Sequence, residues 1–150
     1  MRIFHRSKIL RQSRSIFEMR FLLDTNIVSD LVRHPRGRIF DRIFEVGEED
    51  VCTSIVVAAE LRYGAIKKKS SRLISQLEAV LGAIEVLPLE APVDAIYGVI
   101  RAGLEQIGQP IGANDLLIAA HALALDLTMV TDNEREFLRI DDLRVENWLR

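Results

Sequence analysis

Short apolar segments alternate with longer helical segments along most of this chain, and that alternation limits the folds it can adopt. Segments of three to five residues have strand character at residues 20–23, 51–53, 85–87, 127–131 and 143–146. No two-residue hairpin turn joins any neighbouring pair of them. This order is typical of an α/β fold, in which a mostly parallel sheet is covered by helices on both faces.

Helices are predicted between the strands from apolar periodicity and from boundary residues. Ser54 is suited to capping the helix that follows it, and Pro92 to opening a long helix. The predicted helices cover residues 26–32, 38–46, 54–63, 72–81, 92–107, 114–125 and 134–138. With no repeat and no low-complexity tract, we expect residues 19–150 to form one domain.

The charge of the chain is unevenly distributed. The 150 residues carry a formal net charge of -2, which argues against a protein that coats nucleic acid. Residues 1–18, however, hold five cations against one acid. We expect them to be a basic N-terminal extension that is loose or results from a start codon assigned upstream of Met19. An arm that contacts RNA is the alternative.

Cysteine content and hydropathy indicate the compartment. Cys52 is the one cysteine, so the chain has neither an internal disulfide nor a cysteine-based metal site. This suits a reducing environment, and we expect the protein to be cytoplasmic. The longest apolar stretches are much shorter than the roughly 20 residues of a membrane helix, and no span is expected.

Four acids fall where predicted strands end or where helices lie next to them. Asp24 directly follows the first strand, and Asp132 follows the fourth. Asp115 opens a helix, and Glu60 lies within the helix after the second strand. Because open parallel sheets bind ligands beyond the carboxyl ends of their strands, we expect the four carboxylates to converge at one rim.

Three of these acids also have a structural explanation. Asp24 and Asp132 are each suited to capping the helix that follows. For either acid considered alone, capping is a better explanation than catalysis. Asp115, in a first helical turn, would favour the helix dipole. It is the joint occurrence of several acids at rim positions that favours a site.

Glu60 is harder to explain by local structure. The residues three and four positions away on its helix are uncharged, and an unpaired acid on such a face is costly. A role in a site and a buried salt bridge with Arg62 or Arg101 explain it equally well.

Carboxylates brought together without cations repel one another, so protons or a divalent metal must neutralise them. The hard ions Mg²⁺ and Mn²⁺ prefer oxygen ligands and suit phosphate chemistry. Ligands for softer metals are lacking, because His5, His34 and His121 show no paired spacing. The sequence therefore predicts a site for Mg²⁺ or Mn²⁺.

Several ordered segments together resemble one known family. They read LLDTNIVSDLV, SIVVAAELRYGA and GQPIGANDLLIAAHALALDLTMVTDN, and the chain ends in LRVENWLR. Over residues 19–150 the chain resembles the PIN-domain ribonuclease toxins of the VapC type. The resemblance implies a three-layer α/β/α sandwich with a mostly parallel central sheet that cleaves RNA, commonly tRNA or other structured RNA, with Mg²⁺ or Mn²⁺. It also implies a homodimer silenced by a VapB-type antitoxin.

The family's site residues carry over by position. Asp24 and Asp115 match the acids most directly associated with the metal, and Glu60 matches the helix acid. The fourth position falls on Asp132 or on Asn133, because the acid after VT varies in place in this family. The predicted catalytic set is therefore Asp24, Glu60, Asp115 and Asp132, in a metal-dependent endoribonuclease that acts as a toxin.

Two rival functions remain at this stage. A PIN-fold protein with little catalytic activity would serve as an RNA-binding or regulatory module. A phosphatase would also place an aspartate after a strand, but the chain lacks a second nearby aspartate and a glycine-rich phosphate loop.

Other polar residues have mainly structural interpretations. Capping is favoured over placing water or ligands for Thr25, Asn26 and Thr131. The lysine run at residues 67–69 is expected to be solvated rather than bound to RNA phosphates.

Apolar and aromatic residues suggest where packing and partners lie. His121 is expected to be a packed core histidine rather than a general base. Trp148 is expected to anchor the C-terminus rather than to stack on a base. Some of the apolar residues of the first helix are expected to form partner surface: Ile27, Val28, Leu31 and Val32.

Overall fold

The computed structural model describes residues 19–150, and the predicted N-terminal extension lies outside these described residues. Within them, parallel strands form a five-stranded sheet with the order β3-β2-β1-β4-β5. The strands are β1 (Phe21–Leu23), β2 (Val51–Ser54), β3 (Glu85–Leu87), β4 (Thr128–Val130) and β5 (Val145–Glu146). Each strand lies at a segment for which the sequence predicts one.

The helices also follow the predicted order. They are α1 (Thr25–Arg33), α2 (Arg38–Val46), α3 (Ile55–Lys67), α4 (Ser71–Ala83), α5 (Val93–Gln106), α6 (Ala113–Ala124) and α7 (Glu134–Phe137). The Ser54 hydroxyl caps α3 by accepting from the Val56 amide at 3.1 Å, as predicted. Helix α3 runs past its predicted end at Tyr63, because Gly64 is tolerated where Ala65 packs into the core. Among residues 19–150, no helix has both the length and the apolar character needed to cross a bilayer.

The strand order places the helices in two layers. The chain passes from β1 outward to β2 and β3, then returns across the sheet to β4 and β5. Right-handed connections between parallel strands therefore put α1 to α4 on one face and α5 and α6 on the other. The predicted three-layer α/β/α fold is confirmed.

The apolar face of the first helix packs into this core. Its apolar residues Ile27, Val28 and Leu31 are fully buried, and Val32 is almost so. The expectation that some of them form partner surface is wrong. Because α1 lies against α3 and α4 as well as α2, it needs more apolar surface than a short helix on the outside of a domain.

Two predictions about single aromatic residues are confirmed. Trp148 is buried and packs edge-on against Phe21 of β1, with the ring centroids 5.1 Å apart. His121 is also buried, and its Nδ1 lies 2.9 Å from the Ser54 hydroxyl. Burial lowers the pKa of His121, which makes it a neutral part of the core.

Phe137 allows a test of the core beneath α7. It is fully buried, whereas Phe44 on α2 is 79% exposed. We expect Phe137→Ala to lower the free energy of unfolding by about 3–5 kcal/mol. The matched Phe44→Ala variant should change it by less than about 0.5 kcal/mol. Urea unfolding followed by circular dichroism measures both, and equal effects would contradict the described packing of α7.

Candidate active site

Asp24 lies at the point where the strand order of the sheet reverses. It follows β1, whose two neighbours are β2 and β4, and its amide donates to the Val130 carbonyl at 2.8 Å. The β1–β4 ladder therefore continues through this residue. Ligand sites of open α/β sheets form at such a reversal, beyond the carboxyl ends of the strands.

The Asp24 carboxylate is buried and incompletely bonded. The side chain is 3% exposed, and Oδ2 accepts from the Thr131 hydroxyl at 2.8 Å. The Asn26 amide lies at the limit of hydrogen bonding, 3.5 Å from the same oxygen. Oδ1 has no hydrogen-bond partner among the described residues. Burial raises the pKa of Asp24, since it penalises the charged form.

The capping interpretation of Asp24 is wrong for the side chain. Asp24 stands at the N-cap position of α1, and its carbonyl accepts from the amides of Ile27 and Val28. Its carboxylate, however, makes no capping hydrogen bond and points to Thr131 instead. Thr131 likewise serves the acid, rather than capping a helix.

Glu60 reaches the same end of the sheet from α3. Its Oε1 accepts from the Thr25 hydroxyl at 2.8 Å, which ties α3 to the first residue of α1. The alternative of a salt bridge with Arg62 or Arg101 is wrong. Arg62 forms a double hydrogen bond with Glu78, at 2.9 and 2.8 Å. Arg101 contacts Tyr97 and Glu105 on its own helix.

Asp115 is the acid most affected by its neighbours. It lies in the first turn of α6, as predicted, and is half-buried. Burial, followed by the negative charges of Asp24 and Glu136, raises its pKa to about 7. A hydrogen bond to Glu136 and the charge of Glu60 add to the effect. Near neutral pH, Asp115 therefore exchanges its proton readily.

The fourth acid near this point is Glu136, which the sequence analysis missed. Glu136 lies on α7, interacts with Asp115 and accepts from the Asn133 amide at 2.7 Å. We call Asp24, Glu60, Asp115 and Glu136 the acid cluster. No sequence signal marked Glu136, because it lies in a helix of four residues, Glu134–Phe137, whose start the sequence does not define sharply.

Asp132, the predicted fourth acid, has no described contact with the acid cluster. It is exposed, its backbone amide donates to Asn26 Oδ1 at 3.0 Å, and its Oδ1 accepts from Asn147 at 3.1 Å. Nor does Asp132 cap α7, whose N-cap residue is Asn133. The geometry does not support Asp132 as part of the site. Asn133, the alternative, contributes by holding Glu136.

The acid cluster fits a hard divalent cation by its donors and charge. Asp24 Oδ1 is a buried carboxylate oxygen without a hydrogen-bond partner among the described residues, and the negative charges of neighbouring acids help to raise the pKa values of Asp24 and Asp115. No histidine or cysteine belongs to the cluster, so the donors are oxygens alone. No group of three acidic, histidine or cysteine side chains within residues 19–150 has the spacing to hold a metal ion as it stands.

Sequence comparison identifies related proteins over nearly the whole described chain. The sequence model of the PIN domain matches residues 21–143. Ribonuclease VapC2 of Rickettsia felis is 41% identical over 132 residues, which is 87% of this chain and 98% of that protein. The tRNA(fMet)-specific endonuclease VapC of Shigella flexneri is 37% identical over 131 residues, again 87% of this chain and 98% of that protein.

Solved structures show the same similarity. A chain in the crystal structure of VapBC2 from Rickettsia felis bound to a promoter DNA fragment superposes with a TM-score of 0.80 and 38% identity. The match covers 87% of this chain and 99% of that one. DNA-bound VapBC from Salmonella typhimurium gives a TM-score of 0.77 at 35% identity, with 87% and 98% covered.

The raised pKa values of Asp24 and Asp115 predict how stability depends on pH without metal. An acid whose pKa is higher in the folded state binds more protons there than in the unfolded state. The protonated acid therefore favours folding below about pH 4, and this stabilisation is lost as the pH rises toward 7. In EDTA, the temperature at the midpoint of wild-type thermal unfolding should decrease as the pH is raised from 5 to 8. Asp115→Asn should raise it by several degrees at pH 8 and less at pH 5, at roughly 4 °C per kcal/mol.

Asp141 provides the control for that experiment, because it is an exposed acid outside the acid cluster. Asp141→Asn should leave the pH dependence unchanged. Circular dichroism at both pH values measures the midpoints. A wild-type midpoint that rises from pH 5 to pH 8 would show that the carboxylates do not repel one another as described.

Proposed function

The chain belongs to the PIN-domain family of VapC-type ribonuclease toxins, and we propose that its acid cluster is a Mg²⁺- or Mn²⁺-dependent endoribonuclease site. The observation that carries this proposal is the buried Asp24 carboxylate at the strand reversal. It has one oxygen without a partner and lies within electrostatic reach of the charges on Glu60 and Glu136. A divalent ion relieves both the missing bond and the repulsion.

We propose that Asp24 and Asp115 hold the metal. Asp24 stands at the end of β1 and Asp115 at the start of α6. Burial and the negative charges of neighbouring acids raise the pKa of both carboxyl groups. When bound, such an ion lowers the pKa of a water molecule and offsets charge on the transferring phosphoryl group.

The remaining acids act on the water that attacks the phosphodiester. Thr25 fixes Glu60 through one hydrogen bond, and Asn133 fixes Glu136 through another. Each carboxylate retains lone pairs that accept a proton from the attacking water. Asp115 would be ionised when it holds the ion, and its hydrogen bond with Glu136 ties the two acids together in the metal-free protein.

The relatives suggest the substrate class. The Shigella flexneri protein is named a tRNA(fMet)-specific endonuclease. We propose that this chain cleaves tRNA or another structured RNA at an unpaired segment, since unstacked nucleotides expose the backbone to a site at the rim of a sheet.

The relatives also suggest a protein partner. The solved neighbours from Rickettsia felis and Salmonella typhimurium are VapBC complexes bound to DNA. We propose that a VapB-type antitoxin silences this chain. A groove of about 180 Å³ between α1, α3 and α4 has Glu60 in its lining, together with the partly buried apolar side chains of Leu61 and Leu73. An apolar helix bound there would cover Glu60. The homodimer that the resemblance implies stays a prediction.

The compartment follows from the state of the cysteine. Cys52 is fully buried in β2, and its sulfur lies 3.3 Å from the Phe21 carbonyl. It is a free thiol. We propose a cytoplasmic location, where thiols stay reduced and RNA substrates are present.

Metal dependence and the role of Asp115 can be tested together. Purified wild-type protein should cleave total tRNA with Mg²⁺ or Mn²⁺, lose cleavage in excess EDTA and regain it when the metal is restored. Asp115→Asn should abolish cleavage and permit colony growth on induction, while its circular dichroism spectrum stays that of a folded protein. Full wild-type cleavage in EDTA would overturn the metal proposal.

The identity of the fourth acid is tested by a matched pair of isosteric variants. Glu136→Gln should lower the rate of RNA cleavage by about 10²–10⁴-fold, the range expected for loss of a proton-transfer group. Asp132→Asn should cleave at close to the wild-type rate, because its carboxylate contacts Asn147 outside the acid cluster. Gel-based cleavage rates decide between them, and the reverse ranking would restore Asp132 to the site.

A further inference from the structure

A pocket adjoins the acid cluster between the first turns of α3 and α6. Its volume is about 620 Å³, within the range of small-molecule sites. Its lining includes Ile55, Ala59, Glu60, Tyr63, Asn114 and Leu117. Glu60 belongs to the acid cluster, and Asn114 directly precedes Asp115, so the pocket is continuous with the site on both helices.

Tyr63 presents an aromatic surface at this pocket. It lies one helical turn beyond Glu60 on α3 and is 66% exposed. The Lys67 ammonium lies 5.8 Å from its ring centroid, so a cation accompanies one face of the ring. An exposed tyrosine over an apolar floor has the chemistry of a stacking platform for a nucleobase, and a nearby cation suits the attached phosphate.

Asn114 supplies polar groups on the opposite wall. It is exposed, and its side-chain amide makes no hydrogen bond within residues 19–150. A carboxamide carries one acceptor and two donors, which match the edge of a nucleobase. The pocket therefore combines a stacking surface with a group that reads a base edge.

We propose that this pocket is a base-binding subsite, which takes one unpaired nucleobase next to the scissile phosphate. The inference rests on the proposed ribonuclease function and names how that site holds its substrate. A neutral, planar base fits the pocket better than a phosphate, because Glu60 in its lining repels anions. Apolar contacts from Ile55 and Leu117 suit the faces of the base, while Asn114 selects among bases.

The test combines protein variants with an altered substrate. The cleavage position in total tRNA is first mapped by sequencing RNA ends. A short RNA spanning this position is then made intact and in two altered forms, one with an abasic nucleotide before the scissile phosphate and one with it after. Tyr63→Leu should reduce kcat/KM on the intact RNA by about 5- to 100-fold, mainly through KM, as expected for loss of one stacked base. Tyr63→Phe should retain most of the activity, because stacking needs the ring and not the hydroxyl.

The abasic RNA separates stacking from a structural role. For the wild type, one of the two abasic positions should cost a factor similar to that of Tyr63→Leu. For Tyr63→Leu the same position should cost little more, because two changes that remove one contact do not add. Ile66→Ala is the matched control, since Ile66 is 65% exposed on α3 but outside this pocket, and it should behave as the wild type.

Three outcomes would overturn the subsite. If the losses of kcat/KM from Tyr63→Leu and from the abasic nucleotide add when the two are combined, the Tyr63 ring does not contact that base. A change in molar mass by light scattering on Tyr63→Leu, with additive losses, would assign this face to contacts between two copies of the chain. Wild-type protein that cleaves no RNA in Mg²⁺ or Mn²⁺ would overturn the ribonuclease function itself, a result distinct from cleavage that is indifferent to Tyr63.

Discussion

The burial of one carboxylate at the strand reversal is the constraint on which the rest of this site depends. Asp24 continues the β1–β4 ladder through its backbone, so its side chain has little freedom to turn toward solvent. One hydroxyl from Thr131 satisfies one of its oxygens and leaves the other without a partner. A buried, half-bonded carboxylate is costly to keep charged, and the sheet topology brings further acids toward it instead of cations. Keeping this carboxylate charged therefore costs the fold stability where its acids are concentrated, and binding of a cation would relieve that cost.

Two helices that begin beside the acid cluster lack the stabilisation that a side-chain cap provides. Helices α3 and α4 begin with serines whose hydroxyls cap the helix, Ser54 and Ser70. Helices α1 and α7 begin beside the acid cluster, and neither has a side-chain cap. The side chains at their N-cap positions, Asp24 and Asn133, bond to Thr131 and Glu136 instead. A side-chain cap is worth about 1 kcal/mol of helix stability, so the positions of Asp24 and Glu136 are held at the expense of α1 and α7.

Much of the fold was predictable because strand and helix signals alternate clearly, and because parallel strands must end at one edge. Asp24 and Asp115 stand at element boundaries, so the sequence locates them, and the motif around Glu60 places it on a helix. Glu136 was not predictable, since its approach to Asp115 depends on where a helix of four residues begins. Asp132 follows a strand just as Asp24 does, but the residue is exposed and its carboxylate accepts a hydrogen bond from Asn147. The burial of α1 was missed for a similar reason, because the packing of α3 and α4 over it involves residues far away in the sequence.

The net negative charge of residues 19–150 is consistent with an RNA substrate when the positions of the acidic side chains are considered. These residues hold six more acids than cations, and the four members of the acid cluster account for most of that excess. Several arginines are engaged by neighbouring acids, including Arg62 with Glu78 and Arg144 with Asp126. Attraction of phosphates by a broad basic surface is therefore a weak basis for binding in this domain. A bound cation and a neutral base held against Tyr63 provide attraction that does not depend on net charge. Recognition of this kind favours unpaired nucleotides over duplex, because only an unstacked base can enter such a pocket.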